Sequence, residues 1–464
     1  MRVMKFGAAS VNRASRLHDL VRLIQAEIDT PQVVVCTTIP SITDSLIDAA
    51  RRAASGDETL GDTARRDLWS RHRSLAEKVV QDDWEREALY QEWATILKMF
   101  DRLIRSIATL RDLSPRGVDA VAALGEHFIT HLIAVVLRQG GVAAQVIDAT
   151  ELIVTDNNFG VAQPLIDETA ARVQTRLQPL LKRRIVPVIT GYIGATRDGL
   201  TTTFGRGGGD YTAALIGAVL SAEEVCIWTD VDGILTADPK IVSEAHSLSE
   251  LSYDEAAEMG SFGAEVLHPR TLVPVAEQGI ALRIRSALDI TRPGTRIVTT
   301  PRPSTHPARA IISVRGLSLL TMKLVQSEDW APDWSSRALA RLAGVGVDVL
   351  MFAHNGGERS ITLTIRASDA PFVRDNLAAT FGHEHNAGLV QDVVTIASVA
   401  MVAIINTPNG EALTPRVLRA LGRSGTHILE MSQNISSRHV SFVLAEDELE
   451  HTVRILHDDL GLAR

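Results

Sequence analysis

Three consecutive glycines, Gly207, Gly208 and Gly209, limit what this chain can become more than any other stretch, because of what stands on either side of them. The run Ile185-Val186-Pro187-Val188-Ile189 reads as a buried strand, and Tyr211 to Leu220 reads as an apolar helix. Between them, Gly191 to Asp210 reads as one long glycine-rich loop. Glycines at a helix start leave backbone N–H groups uncovered where the macrodipole favours anions. Arg206 adds a fixed cation able to grip a carboxylate through two parallel hydrogen bonds, and Asp210 closes the run. A glycine-rich loop by itself is more often a surface turn. Arg206 and Asp210 framing the glycines, with a second acidic loop at Thr229-Asp230-Val231-Asp232-Gly233, turn the reading toward a site for an anionic substrate.

The rest of the composition bounds that site. A chain of 464 residues has room for about three domains, and 45% hydrophobic against 22% charged residues provides a large core. The net charge of -9 and a pI near 5.9 argue against nucleic acid or an anionic membrane as the main partner, so any anion site has to be local. The N-terminus lacks the apolar segment of a signal peptide, and no run approaches the ~20 apolar residues of a membrane span. Cys36 and Cys226 each fall inside an apolar strand-like run and read as buried free thiols of a reducing cytoplasm.

Along the chain, residues 2–7 form a strand candidate with Lys5 near its end, followed by a helix pattern from about Ser15 to Ile28. The strand candidate Gln32 to Thr37 runs into a hydroxyl-rich loop, Thr38 to Asp44, that opens another helix. From about 44 to 140 the pattern is almost wholly helical. Trp69, Leu75, Val79, Trp84, Leu89, Trp93, Ile96, Leu97, Phe100, Leu103 and Ile107 recur at helical spacing, as the core of a helical insertion would. Gly125-Glu126 begins a further apolar helix. Alternating strands and helices to about residue 300 imply a mostly parallel sheet covered on both faces, which places ligands at the C-terminal ends of its strands. Lys5, Thr37 to Thr43, the Gly191–Asp210 loop and Thr229 to Gly233 all fall at such ends.

Thr291 to Pro307, rich in Pro, Thr and Arg, reads as a linker. Beyond it lies an internal repeat at an offset of about 79 residues. Arg337, Leu339, Leu342, Gly346, Asn355 and Arg359 match Arg416, Leu418, Leu421, Gly425, Asn434 and Arg438. Each copy reads strand, helix, strand, turn, strand, and neither carries a nucleophile–base pair or a metal cluster, so both look like binding or assembly modules.

A lysine on the first strand, a Gly-Arg-Gly-Gly-Gly-Asp loop and a Thr-Asp-Val-Asp-Gly-Ile loop suit phosphoryl transfer from a nucleotide, which needs cations around the moving group and a placed carboxylate acceptor rather than a covalent nucleophile. No Gly-x-x-x-x-Gly-Lys-Ser/Thr element or protein-kinase motif set is present. Lys5-Phe6-Gly7, Gly125-Glu126, Gly191 to Ala213, Trp228 to Ile234, Asp238-Pro239-Lys240 and Val266-Leu267-His268-Pro269 together resemble the aspartate kinases of the amino-acid kinase fold, and the likeness spans nearly the whole chain.

The resemblance implies an α/β protein: an amino-acid-kinase fold, with a mostly parallel sheet between helices, over 1–300 with a helical insertion at about 44–120, then two ferredoxin-like ACT modules at 308–390 and 391–464. It implies a cytoplasmic enzyme that uses ATP and Mg²⁺ to phosphorylate the side-chain carboxylate of L-aspartate, the opening step toward lysine, threonine and methionine. It further implies a homodimer or higher homo-oligomer and an amino-acid effector as the ligand of the ACT modules, with neither nucleic acid nor membrane as partner. Lys5 and Asp210 take the catalytic roles, Lys5 stabilising the transferring phosphoryl group and Asp210 organising that lysine and the loop. Thr37, Thr43, Glu126, Arg206, Gly207, Gly208 and Gly209 would hold aspartate, Arg206 on its α-carboxylate and Glu126 on its α-amino group. Lys5, Phe6, Gly7, Ala8, Thr229, Asp230, Leu235, Lys240, Glu265 and Val266 would meet the nucleotide, and no side chain is assigned as a direct metal ligand.

Several positions depart from the family's usual residues. Ala8 and Ala9 replace Gly and Thr, Thr37 and Gly209 each stand where a serine is usual, Glu265 replaces a lysine, and His354-Asn355-Gly356-Gly357 alters the first ACT turn while Gln433 keeps the second. Ala8 is harmless only at negative φ. Two alternatives therefore stay open: a catalytically weakened sensing or partner-binding relative, and a kinase for a related amino acid in a specialised pathway.

Overall fold

Arg2–Phe6 (β1) is a short apolar strand whose Val3, Met4 and Phe6 are buried, and it lies in the middle of an eight-stranded sheet. In the computed structural model, which describes residues 1–463 apart from 58, 263–266, 304–305, 326–332, 392, 407–412 and 434–437, the chain divides into two units. The first comprises Met1–Ile234, Ser247–Ala257 and a last stretch ending at Arg302. The second comprises Leu235–His246, a short stretch beginning at Glu258, and the chain from Pro303 onward.

The further strands of the first unit are Gln32–Cys36 (β2), Ala144–Ile147 (β3), Val154–Thr155 (β4), Val186–Thr190 (β5), Ile193–Thr196 (β6), Thr201–Thr203 (β7), Glu224–Thr229 (β8), Glu250–Ser252 (β9), Ala281–Ser286 (β10) and Thr295–Val298 (β11). The large sheet has the order β3-β5-β2-β1-β8-β10-β11-β9. It is parallel from β3 to β10, and β11 runs antiparallel to β10. Every residue of β2 and β5 is buried, as expected of strands covered on both faces. The chain passes from β1 to β2 on one side while β8 joins β1 on the other, so strand order reverses at β1. A crevice belongs at the C-terminal ends of these strands.

The helical insertion is present as Ile42–Ala54, Thr59–Val79, Asp83–Leu110, Pro115–Ala122 and Leu124–Gln139. Its starts carry their own signals: Asp82 Oδ1 accepts from Glu85 N at 2.8 Å, and Ser114 caps a helix that has Pro115 in its first turn. Trp93 is fully buried, stacks on Phe128 with centroids 5.1 Å apart, and donates Nε1–H to the Phe128 carbonyl at 3.1 Å.

Four sequence expectations change here. Trp84 is 79% exposed rather than core, because it sits in the first turn of Asp83–Leu110, ahead of the residues that face the other helices. Pro115–Gln139 is long and apolar enough to cross a membrane by length and composition, against the expectation of no such run, yet most of its apolar window is buried inside the protein. The Gly191–Asp210 stretch is not all loop: β6 and β7 pair antiparallel across Asp198-Gly199, with Gly199 at φ 77, and β4 completes a three-stranded sheet. The linker region contains β11, whose Ile297 is fully buried and whose Thr295 hydroxyl accepts from Ile234 N at 2.8 Å.

The second unit holds Ala308–Lys323 (β12), Val349–Asn355 (β13), Ser360–Arg366 (β14), Val394–Asn406 (β15), Glu430–Gln433 (β16) and His439–Ala445 (β17) in one antiparallel sheet, ordered β13-β14-β12-β15-β17-β16. The repeat is visible as geometry, and each copy adds a closing helix that the strand–helix–strand–turn–strand reading lacked, Ala370–Thr380 and Leu449–Asp459. Gly346 and Gly425 both take left-handed φ just past the first helix of their copy. Arg337 donates to the Thr380 carbonyl and Arg416 to the Asp459 carbonyl, each at 3.3 Å, so the repeated arginine ties the first helix to the end of the second. Ala237, Ile241 and Val242 are buried with Ile311, Ile404, Leu421 and Leu456 in a core of this unit.

Removing the Trp93 ring leaves a void and takes away the indole hydrogen bond to the Phe128 carbonyl. Trp93→Ala should lower first-unit stability by about 3–5 kcal/mol, read as a shift of the urea midpoint by circular dichroism; a shift under about 1 kcal/mol would mean that this cluster does not hold the insertion together.

Candidate active site

Lys5 is 9% exposed, and its Nζ lies 2.7 Å from Asp210 Oδ1. The sequence makes room for that ammonium: a Cβ on Gly7 would lie 3.0 Å from Nζ and 3.3 Å from the Trp228 carbonyl. The same carbonyl accepts from Gly7 N at 3.0 Å and from Ser10 Oγ at 2.9 Å, tying the turn after β1 to the end of β8, while Phe6 stacks on Trp228. Ala8 opens the short helix Ala8–Val11 and is not among the positive-φ residues, so its methyl introduces no backbone strain.

Asp210 is placed by the helix Gly208–Val219. Each preceding glycine is required for a different reason. Gly207 caps the helix at φ 73, a conformation that L side chains rarely adopt. Gly208 would put a Cβ 2.8 Å from Tyr192 Cδ2, and Gly209 would put one 2.1 Å from Thr37 Cγ2. Arg206 is exposed and makes no ion pair among the described residues, so its guanidinium can meet an incoming anion.

Two residues that sequence reasoning missed fasten this loop. Asp119, 1% exposed, accepts from Gly160 N at 2.8 Å, Thr203 N at 2.9 Å and Thr203 Oγ1 at 2.8 Å. Arg270 donates to the Phe204 carbonyl at 3.2 Å, to Gln163 Oε1 at 3.1 Å and to the Ala162 carbonyl, and its guanidinium lies 4.3 Å over the Tyr211 ring. The available signals were an acid beside apolar Val118 and Val121, and an arginine directly after His268-Pro269 at a helix start.

Glu126, in the first turn of Leu124–Gln139, is 2% exposed, and its Oε2 accepts from Thr38 N at 3.0 Å. Burial pushes its carboxyl up to about 8, against the opposing pull of the Thr38 N–H and of Lys5. At neutral pH it is therefore mostly protonated, and a bound cation would draw it toward the carboxylate. Thr37 N donates to the Phe6 carbonyl at 3.3 Å, and Thr43 is half-buried in the first turn of Ile42–Ala54. Burial also pushes the thiols of Cys36 and Cys226 up, the latter to about 12, and both are free.

At the end of β8, the Thr229 hydroxyl donates to Asp230 Oδ1 at 3.1 Å, and Asp232 pairs with Arg292. Leu235 and Lys240 belong to the second unit; Lys240 is exposed, and its N–H donates to Asp238 Oδ1 at 2.9 Å. Glu265 and Val266 lie outside the described residues, as does Asn434. At the repeat turns, Asn355 Oδ1 accepts from Gly357 N and Glu358 N at 3.0 and 3.1 Å, and Gln433 Oε1 accepts from the Thr414 hydroxyl at 2.8 Å. Among the described residues no group of three or more His, Cys, Asp or Glu is arranged to hold a metal ion.

The first unit thus brings together a buried ammonium, a helix N-terminus with bare glycines, a free guanidinium and a buried acid at a topological switch point. Such a set suits negative charge on a bound group. Residues 1–286 match the model of the amino acid kinase family, and the chain belongs to that family. Within it the similarity is to aspartokinases. Aspartokinase 3, chloroplastic, of Arabidopsis thaliana is 31% identical over 98% of this chain and 80% of its own length. The bifunctional aspartokinase/homoserine dehydrogenase 2, chloroplastic, of the same plant is 28% identical over all of this chain, which spans about half (51%) of that relative. E. coli aspartokinase III, solved in complex with aspartate and ADP, superposes with a TM-score of 0.82 at 28% identity, covering 99% of this chain and 100% of its own.

The buried acid gives a pH signature. A carboxyl titrating near 4.5 when unfolded and about 8 when folded takes up a proton on folding, so its support for the fold is complete at the acid end and fades as pH rises between those values. Glu126→Gln, which keeps an acceptor for Thr38 N, should therefore gain on the parent between pH 5.5 and 8.5 by a few kcal/mol, since each tenfold difference in proton affinity is worth ~1.4 kcal/mol. Parallel urea midpoints at the two pH values would show that Glu126 is ionised throughout.

Proposed function

We propose that this chain is an aspartate kinase, forming 4-phospho-L-aspartate from L-aspartate and ATP, at the head of the route to lysine, threonine and methionine. The observation that carries the reading is the Lys5–Asp210 pair, 2.7 Å apart at the switch point, beside the glycines that open Gly208–Val219. In this reading Asp210 holds Lys5 Nζ where negative charge grows during transfer, and the N–H groups of the helix start face the same region. Arg206 grips the acceptor's α-carboxylate, Glu126 takes its α-ammonium, and Thr37 and Thr43 supply hydroxyls. Thr229 and Asp230, with Leu235, Lys240, Glu265 and Val266, are assigned to the nucleotide. ATP would give its γ-phosphoryl group to an oxygen of the side-chain carboxylate and leave as ADP, and Mg²⁺, which favours phosphates and water with few carboxylates, would come with the nucleotide and offset its charge. The two buried free thiols suit a reducing, cytoplasmic setting.

Purified protein with Mg-ATP and L-aspartate should give an acyl phosphate that hydroxylamine traps. Lys5→Ala and Asp210→Ala should each lower kcat by ~10²–10³ with the fold intact by circular dichroism. Arg206→Ala should chiefly raise KM for aspartate. Near-parental turnover in the Lys5 and Asp210 variants would overturn the assignment, and a product only with another amino acid would change the acceptor.

The second unit is assigned to assembly as a homodimer or larger, with an amino-acid effector held weakly at the altered first turn. Light scattering on the full chain should give at least a dimer, and lysine and threonine, alone or together, should inhibit little at concentrations near 1 mM, the upper range of ordinary small-ligand sites. Strong inhibition abolished by Gln433→Ala would show instead that the second copy is a working sensor.

A further inference from the structure

Thr37 stands at the end of β2 with its backbone fixed on both sides: its N–H donates to the Phe6 carbonyl at 3.3 Å, and the carbonyl before it, that of Cys36, accepts from Gly191 N at 2.7 Å. Its hydroxyl is already assigned to the acceptor. Its methyl faces two bare α-carbons. A Cβ on Gly191 would lie 3.1 Å from Thr37 Cγ2, and one on Gly209 only 2.1 Å. Gly209 is helical, so its backbone would accept any residue, and the same imaginary Cβ is 3.4 Å from Lys5 Cε. The nearest thing excluding a side chain at 209 is one methyl group, that of the residue following β2. Carbon atoms pack at about 3.5–4.0 Å, so a side chain there would displace Thr37 or the helix start by more than about 1 Å.

We propose that Thr37 is a positioning residue acting through its methyl group. Peg and seat, the Thr37 methyl and the bare α-carbon of Gly209 set the start of the helix against β2 and thereby hold Asp210 at the height where it meets Lys5. The space between 37 and 209 takes one methyl-sized group, from either residue but not from both. The proposal rests on Lys5 and Asp210 being the catalytic pair.

Four proteins test it: the parent, Thr37→Ser, Gly209→Ala and the double variant. Gly209→Ala alone should lose on the order of 100-fold in kcat, the scale of a 1 Å misplacement. Thr37→Ser, which keeps the hydroxyl but vacates the space, should lose roughly 3- to 10-fold in kcat with KM for aspartate nearly unchanged. The double variant should return to within about fivefold of the parent, a non-additivity expected only of groups that share a space. Thr37→Val separates the two roles: it keeps a methyl and loses the hydroxyl, so it should raise KM while sparing kcat. A double variant no better than Gly209→Ala, or Thr37→Ser and Thr37→Val with the same kcat, overturns the proposal. If Gly209→Ala does not fold, the contrast between Thr37→Ser and Thr37→Val decides alone. Absence of acyl phosphate from the parent would instead count against the kinase reading.

Discussion

A lysine withdrawn from water at the end of the central strand is the constraint on which the rest depends. Taking an ammonium out of solvent costs several kcal/mol unless an opposite charge lies in contact and the geometry is held. Asp210 supplies that charge at 2.7 Å, and the surroundings are arranged to keep it there. Gly7 leaves space for Nζ, Gly209 leaves space for the Thr37 methyl, and the turn after β1 is pinned to the Trp228 carbonyl. With the ammonium fixed by Asp210 and by the pinned turn, the proposed transfer would need little reorganisation of the cation as charge develops beside it, which is where electrostatic catalysis gains most.

A second buried ionisable group in the site, Glu126, acts in the opposite sense. Glu126 could compete with Asp210 for the lysine, but burial keeps it largely protonated near neutral pH, so Lys5 faces one carboxylate rather than two. A chain of net charge -9 can in this way keep a local site for an anion: Arg206 is exposed, and the carboxyls around the buried Lys5 are paired, as Asp210 is, or largely neutral, as Glu126 is.

What could be read from the sequence was what is encoded locally. The glycine run, the strand ends and the repeat appear in the structure because φ preference, hydrophobic period and spacing are properties of short stretches. Asp119 and Arg270 were not legible, since their partners lie 41 to 108 residues away and only the fold brings them to the loop. The β6–β7 hairpin was legible in principle: Asp198-Gly199 is a strong turn signal, overlooked because the glycines around it suggested a single loop. Trp84 shows the limit of periodicity, which places a residue on a helix face but does not say how far the neighbouring helices extend. β11 shows the same for composition, since Pro, Thr and Arg flank a strand whose only strong mark is Ile297-Val298.

The unit boundaries follow the chain in an unexpected way. Residues 235–246 leave the first unit, bury Ala237, Ile241 and Val242 in the second, and return at Ser247. The second unit is therefore not an appendage joined by a single tether. A protease that cut near Pro303 would not free it, because its core would keep a polypeptide stitch from upstream. Deleting everything after that point would strip those three side chains of their neighbours and turn a buried stretch into a sticky one. Gene fusion or fission at that boundary would have to carry the stitch along to keep the second core filled.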